Sequence, residues 1–508
     1  MHFSKGIFNR LFIVGFSIVV QILLFMLFVL KLNEFHFMFN VIMNIISFAV
    51  IISIINRNMI TEAKIPWIII PLLSPLLGTV LYLCFSEFKL SRKQKKQHQL
   101  VIESVEKYFD EDKHMHFHLV DKAGKYKGQI RYILKNTRQF AYNNTSTEFY
   151  SEGMSFWNSL KSELLKAEKY IFMEYFIIED GVMWNGIFDI LKEKAASGVE
   201  VRLMYDDLGS VNTLDWDFDK HMRQNGIICI KFNPFKPVIS ERHNNRDHRK
   251  ITVIDGNVAF VGGLNLADEY INLKARCGHW KDTAVKLEGC AVKSLAALFL
   301  QNYDNQTGIV ENYSKYLNNG YEAYPESDGI VQPFGDGPKP AYGDYVAANI
   351  FLNMINSAEK YVWITTPYLI IDSKLQNALC TAVMRGVDVR IITPHIPDKK
   401  AIFAMTRSYY KHLQDNGVKI YEYTPGFMHA KQILCDDEAA IVGTINFDYR
   451  SLIHHYECGV FMLNTECVSQ IKEDFLALFN CSRNMKGFKQ KKLVTLMCRI
   501  LSAFTPML

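Results

Sequence analysis

One pattern occurs twice in this chain, and it constrains the fold more than any bulk property does. His248-Arg249-Lys250 is followed by Asp255, Gly262, Gly263 and Asn265, reading HRKITVIDGNVAFVGGLN. It returns as HAKQILCDDEAAIVGTIN, with His429, Lys431, Asp436, Gly443, Thr444 and Asn446 at the same spacings. Five specified residue types coincide by chance about once in 3 million start positions, so two copies mark an internal repeat. The repeat reaches upstream. Ala167-Glu168-Lys169-Tyr170 matches Ala358-Glu359-Lys360-Tyr361, and Gly198-Val199-Glu200-Val201-Arg202 matches Gly386-Val387-Asp388-Val389-Arg390.

Local patterns give each copy its elements. Apolar runs at Tyr170 to Ile178 and Val199 to Tyr205 read as strands, with a helix over Val182 to Ala196 between them. The second copy repeats this, with a strand from Tyr361 to Tyr368 and a helix to about Arg385, after a turn-rich link at Gly335-Asp336-Gly337-Pro338. Each motif reads as strand, hairpin, strand, with the turn at Asp255-Gly256-Asn257 or Asp436-Asp437-Glu438. Alternating strands and helices imply an α/β fold of two similar sheets facing each other.

The motif residues suit phosphoryl chemistry. His248 and Lys250 are two apart, so a strand would point both to one face. Gly262 and Gly443 allow close backbone approach, and Asn265 and Asn446 add amide donors. A neutral imidazole can attack phosphorus while a protonated one serves the leaving oxygen, and an ordinary pKa near 6.5 suits both tasks. His248 is assigned as nucleophile and His429 as general acid and base, although the repeat is symmetric and the reverse stays open. Lys250, Lys431, Asn265 and Asn446 are expected on the non-bridging phosphate oxygens. Asp255 and Asp436 are grouped with the catalytic set, yet they fall at turns, where a structural role competes.

The first 90 residues differ from the rest. Leu11 to Leu30, Phe37 to Ile55 and Ile65 to Phe85 are three apolar runs, the last interrupted by Pro66, Pro71, Pro75 and Gly78. Lys89, Arg92, Lys93, Lys95 and Lys96 follow and mark a cytoplasmic side. Three full spans would then leave Lys5 and Arg10 outside, so either the first run does not fully span or the larger cluster wins. Residues 97 to 144 are polar and read as a connector. At the other end, Leu493, Leu496, Met497, Ile500, Leu501 and Phe504 share a helical face behind Lys486, Lys489, Lys491 and Lys492, as in a helix lying on an anionic membrane.

Composition excludes several classes. A net charge of +5 is too mild to argue for nucleic acid, and the ten cysteines contain no CxxC pair. No metal-ligand spacing is present, so neither metal nor cofactor is expected.

The doubled motif resembles the phospholipase D superfamily. Within it, Arg246-Asp247-His248-Arg249-Lys250, the Gly-Gly-Leu-Asn run and Asp268-Glu269-Tyr270 look like bacterial cardiolipin synthases. The resemblance implies two phospholipase D-like lobes forming one active site, behind N-terminal transmembrane helices in a multi-pass membrane protein. It implies a phosphatidyltransferase that joins two phosphatidylglycerol molecules, releasing glycerol, through a phosphohistidine. Phosphatidylserine synthesis or hydrolysis shares that core, and a nuclease shares the motif. Glu457 is expected to orient His429, and Asp282 to orient His248, each also readable as an ordinary surface carboxylate. Ala284 and Asn305 depart from the family pattern, where histidine and tryptophan are usual. The expected divisions are a membrane anchor over 1–90 with two to three transmembrane helices, a connector over 91–144, lobes over 145–335 and 336–485, and a basic C-terminal helix over 486–508.

Overall fold

The computed structural model describes residues 19–21, 23–24, 26–27, 37–85, 91–110, 112–234, 244–317, 327, 329–338, 342–343 and 345–505. The first apolar run, Leu11 to Leu30, lies largely outside the described residues. The chain divides into two compact units, one of residues 90–232 and 246–490, the other of residues 1–89, 233–245 and 491–508.

In the larger unit the repeat becomes two sheets of matching order. The first runs Thr145–Tyr150, Ala284–Gly289, Val258–Gly262, Ile251–Ile254, Tyr170–Tyr175, Glu200–Asp206, Ile228–Phe232. The second runs Ile330–Asp336, Glu457–Leu463, Ala439–Gly443, Gln432–Cys435, Tyr361–Thr365, Asp388–Pro394, Lys419–Tyr423, and adds Ser482–Asn484 at its edge. In both, two parallel crossovers bring three successive strands together, and the motif hairpin joins them antiparallel. Alternation along each strand fills two layers. Phe172, Val253 and Val261 share one core with Trp363, Leu434, Val442 and Val460 of the second sheet. Ile171, Ile254 and Phe260 face a separate core built mostly from the first lobe, to which Phe427 of the second is added.

Three sequence boundaries move. Ile330–Asp336 is a fully buried strand of the second sheet, paired with Glu457–Leu463, so Gly335-Asp336 is no loop link and the second sheet starts before residue 336. Residues 91–144 are no mere connector: Arg92–Glu106, Asp112–Lys122 and Lys127–Thr137 are helices whose Val101, Val105, Ile130 and Ile133 are buried. The polar residues between those positions hide the apolar stripe from a composition scan. Finally, the third apolar run is not one helix. Thr61–Leu73 and Pro75–Phe85 are separate helices broken at Ser74, because Pro75 cannot continue the first ladder. Phe37–Asn56, in the same unit, is a continuous helix of 20 residues.

Candidate active site

The two hairpins are pinned in the same way. At each turn the motif aspartate adopts a left-handed backbone, with φ 53° at Asp255 and 57° at Asp436. That conformation folds the side chain back onto the start of the neighbouring strand. Asp255 accepts the backbone N–H groups of Glu168, Lys169 and Tyr170 at 2.7–2.8 Å. Asp436 accepts those of Glu359, Lys360 and Tyr361 at the same distances, and the Lys125 ammonium at 2.7 Å. Five residues of extended chain, about 16 Å, separate each aspartate from the motif lysine. Asp255 and Asp436 therefore do not join the histidines, and their place in the catalytic set is corrected: their oxygens are occupied by backbone N–H groups.

The histidines and lysines sit just before the strands rather than on them, since the strands begin at Ile251 and Gln432. Their backbones are held by the opposite lobe. The N–H of His248 donates to the Tyr456 carbonyl at 2.9 Å, and that of His429 to the Lys281 carbonyl at 2.7 Å. Gly426–Met428 also pairs in parallel with His279–Lys281.

This exchange crosses the expected partnerships. His248 Nδ1 lies 2.9 Å from Glu457, and His429 Nδ1 lies 2.5 Å from Asp282. Each carboxylate serves the histidine of the other lobe, because each directly follows the residue, Tyr456 or Lys281, whose carbonyl receives that histidine's backbone N–H. Glu457 is further held by hydroxyls donated from Ser451, at 2.6 Å, and Thr444. In the first lobe Gly263 replaces Thr444, since a Cβ there would stand 2.0 Å from Asp282 Oδ1. The shorter aspartate sits closer to the backbone, which explains why the motif alternates between glycine and threonine.

Burial sets the protonation states. His248 and His429 are 7% and 8% exposed. Desolvation lowers His248 to about 4 against the opposing pull of Glu457, and lowers His429 to about 4 with help from Lys431. Both imidazoles are neutral at pH 7, in contrast to the expected pKa near 6.5. With Nδ1–H donated to a carboxylate, Nε2 of each carries the lone pair. Lys250 and Lys431 donate to the carbonyls of their own histidines, the former at 2.6 Å. Desolvation lowers Lys250 to about 8 and Lys431 to about 7. Burial alone would raise Glu457, but His248 holds it well below the usual carboxylate range.

Two buried imidazoles with carboxylates behind them and two lysines alongside can receive one phosphodiester. A family profile described as "Cardiolipin synthase, PLD-like domain" matches residues 160–278 and 351–479 of this chain. The chain is 34% identical over 440 residues to a cardiolipin synthase of Alkalihalophilus pseudofirmus, covering 85% of this chain and 86% of that one. It belongs to the phospholipase D-like cardiolipin synthase family. Similarity to the cardiolipin synthase of Halalkalibacterium halodurans is 33% over 85% of each chain, and to a Streptococcus mutans protein 41% over 86% of this chain and 94% of that one. A second profile, "Phospholipase_D-nuclease N-terminal", matches residues 45–87. In fold, the chain is similar to a phosphatidylserine synthase of Haemophilus influenzae, with TM-score 0.57 at 14% identity, covering 76% of this chain and all of that one.

Within this cardiolipin synthase family site, two expected phosphate ligands are otherwise engaged. Asn265 accepts the Ile177 N–H and donates to the Tyr270 hydroxyl at 2.6 Å, so both ends of its amide are used. Asn446 hydrogen-bonds Asp448, while its Oδ1 is buried without a hydrogen-bond partner among the described residues. The sequence reading missed His455, whose ring packs 5.4 Å from that of His248 and which lies 3.7 Å from Glu457. His248, His455 and Glu457 bring three potential ligand atoms within 4.8 Å, although no sequence spacing showed it. The nearby Lys250 charge, which helps lower His248, opposes a cation there. The adjacent pair His454-His455 before Glu457 was the available signal.

Proposed function

We propose that the protein makes cardiolipin by transferring a phosphatidyl group from one phosphatidylglycerol to another, releasing glycerol. The observation that supports this most is the crossed pair of imidazole–carboxylate couples, one from each lobe, at a single buried site. His248 Nε2 attacks phosphorus, the bond to the glycerol oxygen breaks, and His429 protonates that oxygen. The hydroxyl of a second phosphatidylglycerol then gives its proton to His429 and attacks phosphorus. The P–N bond breaks, leaving cardiolipin and regenerated His248. His429 is neutral in the empty site, so the bound phosphodiester anion must raise its proton affinity. Lys250 and Lys431 hold the non-bridging oxygens, and Glu457 and Asp282 stabilise the imidazolium forms. A phosphodiester replaces a phosphodiester, and no cofactor enters the sequence of steps.

The anchor in this reading is the helix Phe37–Asn56, whose 20 residues reach about 30 Å, the thickness of a bilayer's hydrocarbon. Leu11 to Leu30 would provide a second crossing, and the catalytic body would face the cytoplasm. Purified enzyme given labelled phosphatidylglycerol in vesicles, with no other alcohol, should yield cardiolipin and glycerol. Phosphatidic acid as the sole lipid product would overturn the transfer reading.

A further inference from the structure

We infer that residues 61–85 form a re-entrant hairpin that enters one leaflet of the bilayer and returns to the face it left. The inference rests on the proposed crossing by Phe37–Asn56, which lies in the same compact unit. Three independent features point to it.

The first is symmetry about the break. Trp67 and Tyr82 are equidistant from the Ser74-Pro75 junction, and their rings meet edge-on at 5.6 Å. Pro71 and Gly78 are likewise equidistant, and a Cβ at Gly78 would fall 2.4 Å from the Pro71 Cα. Contacts between such mirrored positions arise only when the second helix runs back along the first. A continuous helix would set residues seven apart about 10 Å from each other.

Length is the second. The arms have 13 and 11 residues, giving about 20 and 17 Å, well short of the roughly 30 Å needed to cross. Depth agrees. The Ser47 hydroxyl donates to the Pro71 carbonyl at 3.1 Å, and Ser47 is the eleventh residue of the 20-residue helix. The hairpin tip therefore stands level with the middle of that helix, while its base stands level with the end. There Ile54 packs with Trp67 and Tyr82, and the Lys64 ammonium donates to the Ile55 carbonyl at 2.8 Å.

Backbone chemistry at the tip is the third. Pro75 has no N–H, so the Pro71 carbonyl lacks its helical donor. Unpaired in hydrocarbon, that carbonyl would be expensive, and Ser47 supplies the missing bond. Leu72 and Leu73, beside the tip, are 64% and 82% exposed, which in this unit is exposure suited to acyl chains.

A re-entrant hairpin also gathers the basic residues that flank it. Arg57 and Lys64 then share one side with Arg92, Lys93, Lys95 and Lys96, whereas a full span over 61–85 would set the two groups on opposite sides. That grouping satisfies the positive-inside rule.

Single cysteines at Asn33, Asn58, Ser74 and Lys93 of the full-length chain, each retaining cardiolipin formation, test this. A membrane-impermeant maleimide is applied to sealed vesicles of known orientation, with the unsubstituted chain as background. Asn58→Cys and Lys93→Cys should label from one face, Asn33→Cys from the other, and Ser74→Cys from neither until detergent is added. Labelling of Asn58→Cys and Lys93→Cys from opposite faces would overturn the hairpin in favour of a third span. Labelling of Ser74→Cys in intact vesicles would overturn its insertion. Should Asn33→Cys and Asn58→Cys label from the same face, the crossing by Phe37–Asn56 fails, while the other three sites still decide the hairpin.

Discussion

His248 Nδ1 lies 2.9 Å from Glu457 although the two residues belong to different lobes. The first lobe's imidazole therefore depends on a carboxylate encoded 209 residues downstream. Glu457→Gln should slow labelling of His248 by on the order of 100- to 10,000-fold, the range expected when a buried carboxylate behind a catalytic imidazole loses its charge. Quench-flow with phosphate-labelled lipid measures it. Asp282→Asn should instead impair the proton transfers of His429, seen as a steeper dependence on leaving-group pKa. Exchanged phenotypes would contradict the crossed pairing.

Charge at the lysines and at His429 sets the pH profile. Both lysines have lowered pKa values, so their ammonium charge is lost as pH rises through about 7 for Lys431 and about 8 for Lys250. The histidines are neutral above about 4, and falling pH protonates them. The ratio kcat/KM, which reports the free enzyme, should therefore decline as pH rises above about 4, where His429 loses the proton it must donate, and more steeply through about 7 to 8 as the lysines lose theirs. Its alkaline limb should move upward for kcat, because bound phosphodiester favours the ammonium form. A kcat/KM that stays level to about pH 10 would contradict phosphate binding by Lys250 and Lys431.

The motif aspartates should act on stability. Asp436→Ala removes the acceptor for three backbone N–H groups and for Lys125. A loss of roughly 2–4 kcal/mol is expected from breaking charge-assisted bonds at a buried site. Thermal unfolding of the detergent-solubilised chain should show a lower Tm, with kcat per folded molecule retained. A Tm unchanged from wild type alongside lost turnover would return Asp436 to the chemistry.

Much of this was legible beforehand, for identifiable reasons. The helix Val182–Ala196 follows its periodicity, and the hairpin at Asp255-Gly256 follows its turn residues, because both are local signals. Repeat matching also paired the two sheets strand for strand. The partners of His248 and His429 were misassigned because symmetry makes Asp282 and Glu457 equivalent, while only docking of the lobes decides which histidine each meets. Asn265 looked available because its sequence does not show that Ile177 and Tyr270 converge on it. The apolar run at Ile65 to Phe85 looked like a span since hydropathy records length, not the fold-back at Ser74-Pro75.

The C-terminal helix, Lys492–Ser502, leaves Leu493, Leu496, Met497 and Ile500 more than half exposed. An amphipathic helix with that face and a basic start suits the headgroup layer of an anionic membrane. Deleting residues 492–508 should reduce activity on phosphatidylglycerol vesicles far more than on short-chain, water-dispersed substrate. Equal losses on both, with a lowered Tm, would make the helix part of the fold.

The central claim is covalent transfer through His248. Brief reaction with phosphatidylglycerol labelled at phosphorus, followed by denaturation, should leave an acid-labile, base-stable label on the peptide containing His248. Label confined to the His429 peptide would reverse the two roles, and no label at any time point, with cardiolipin still forming, would contradict a phosphohistidine altogether.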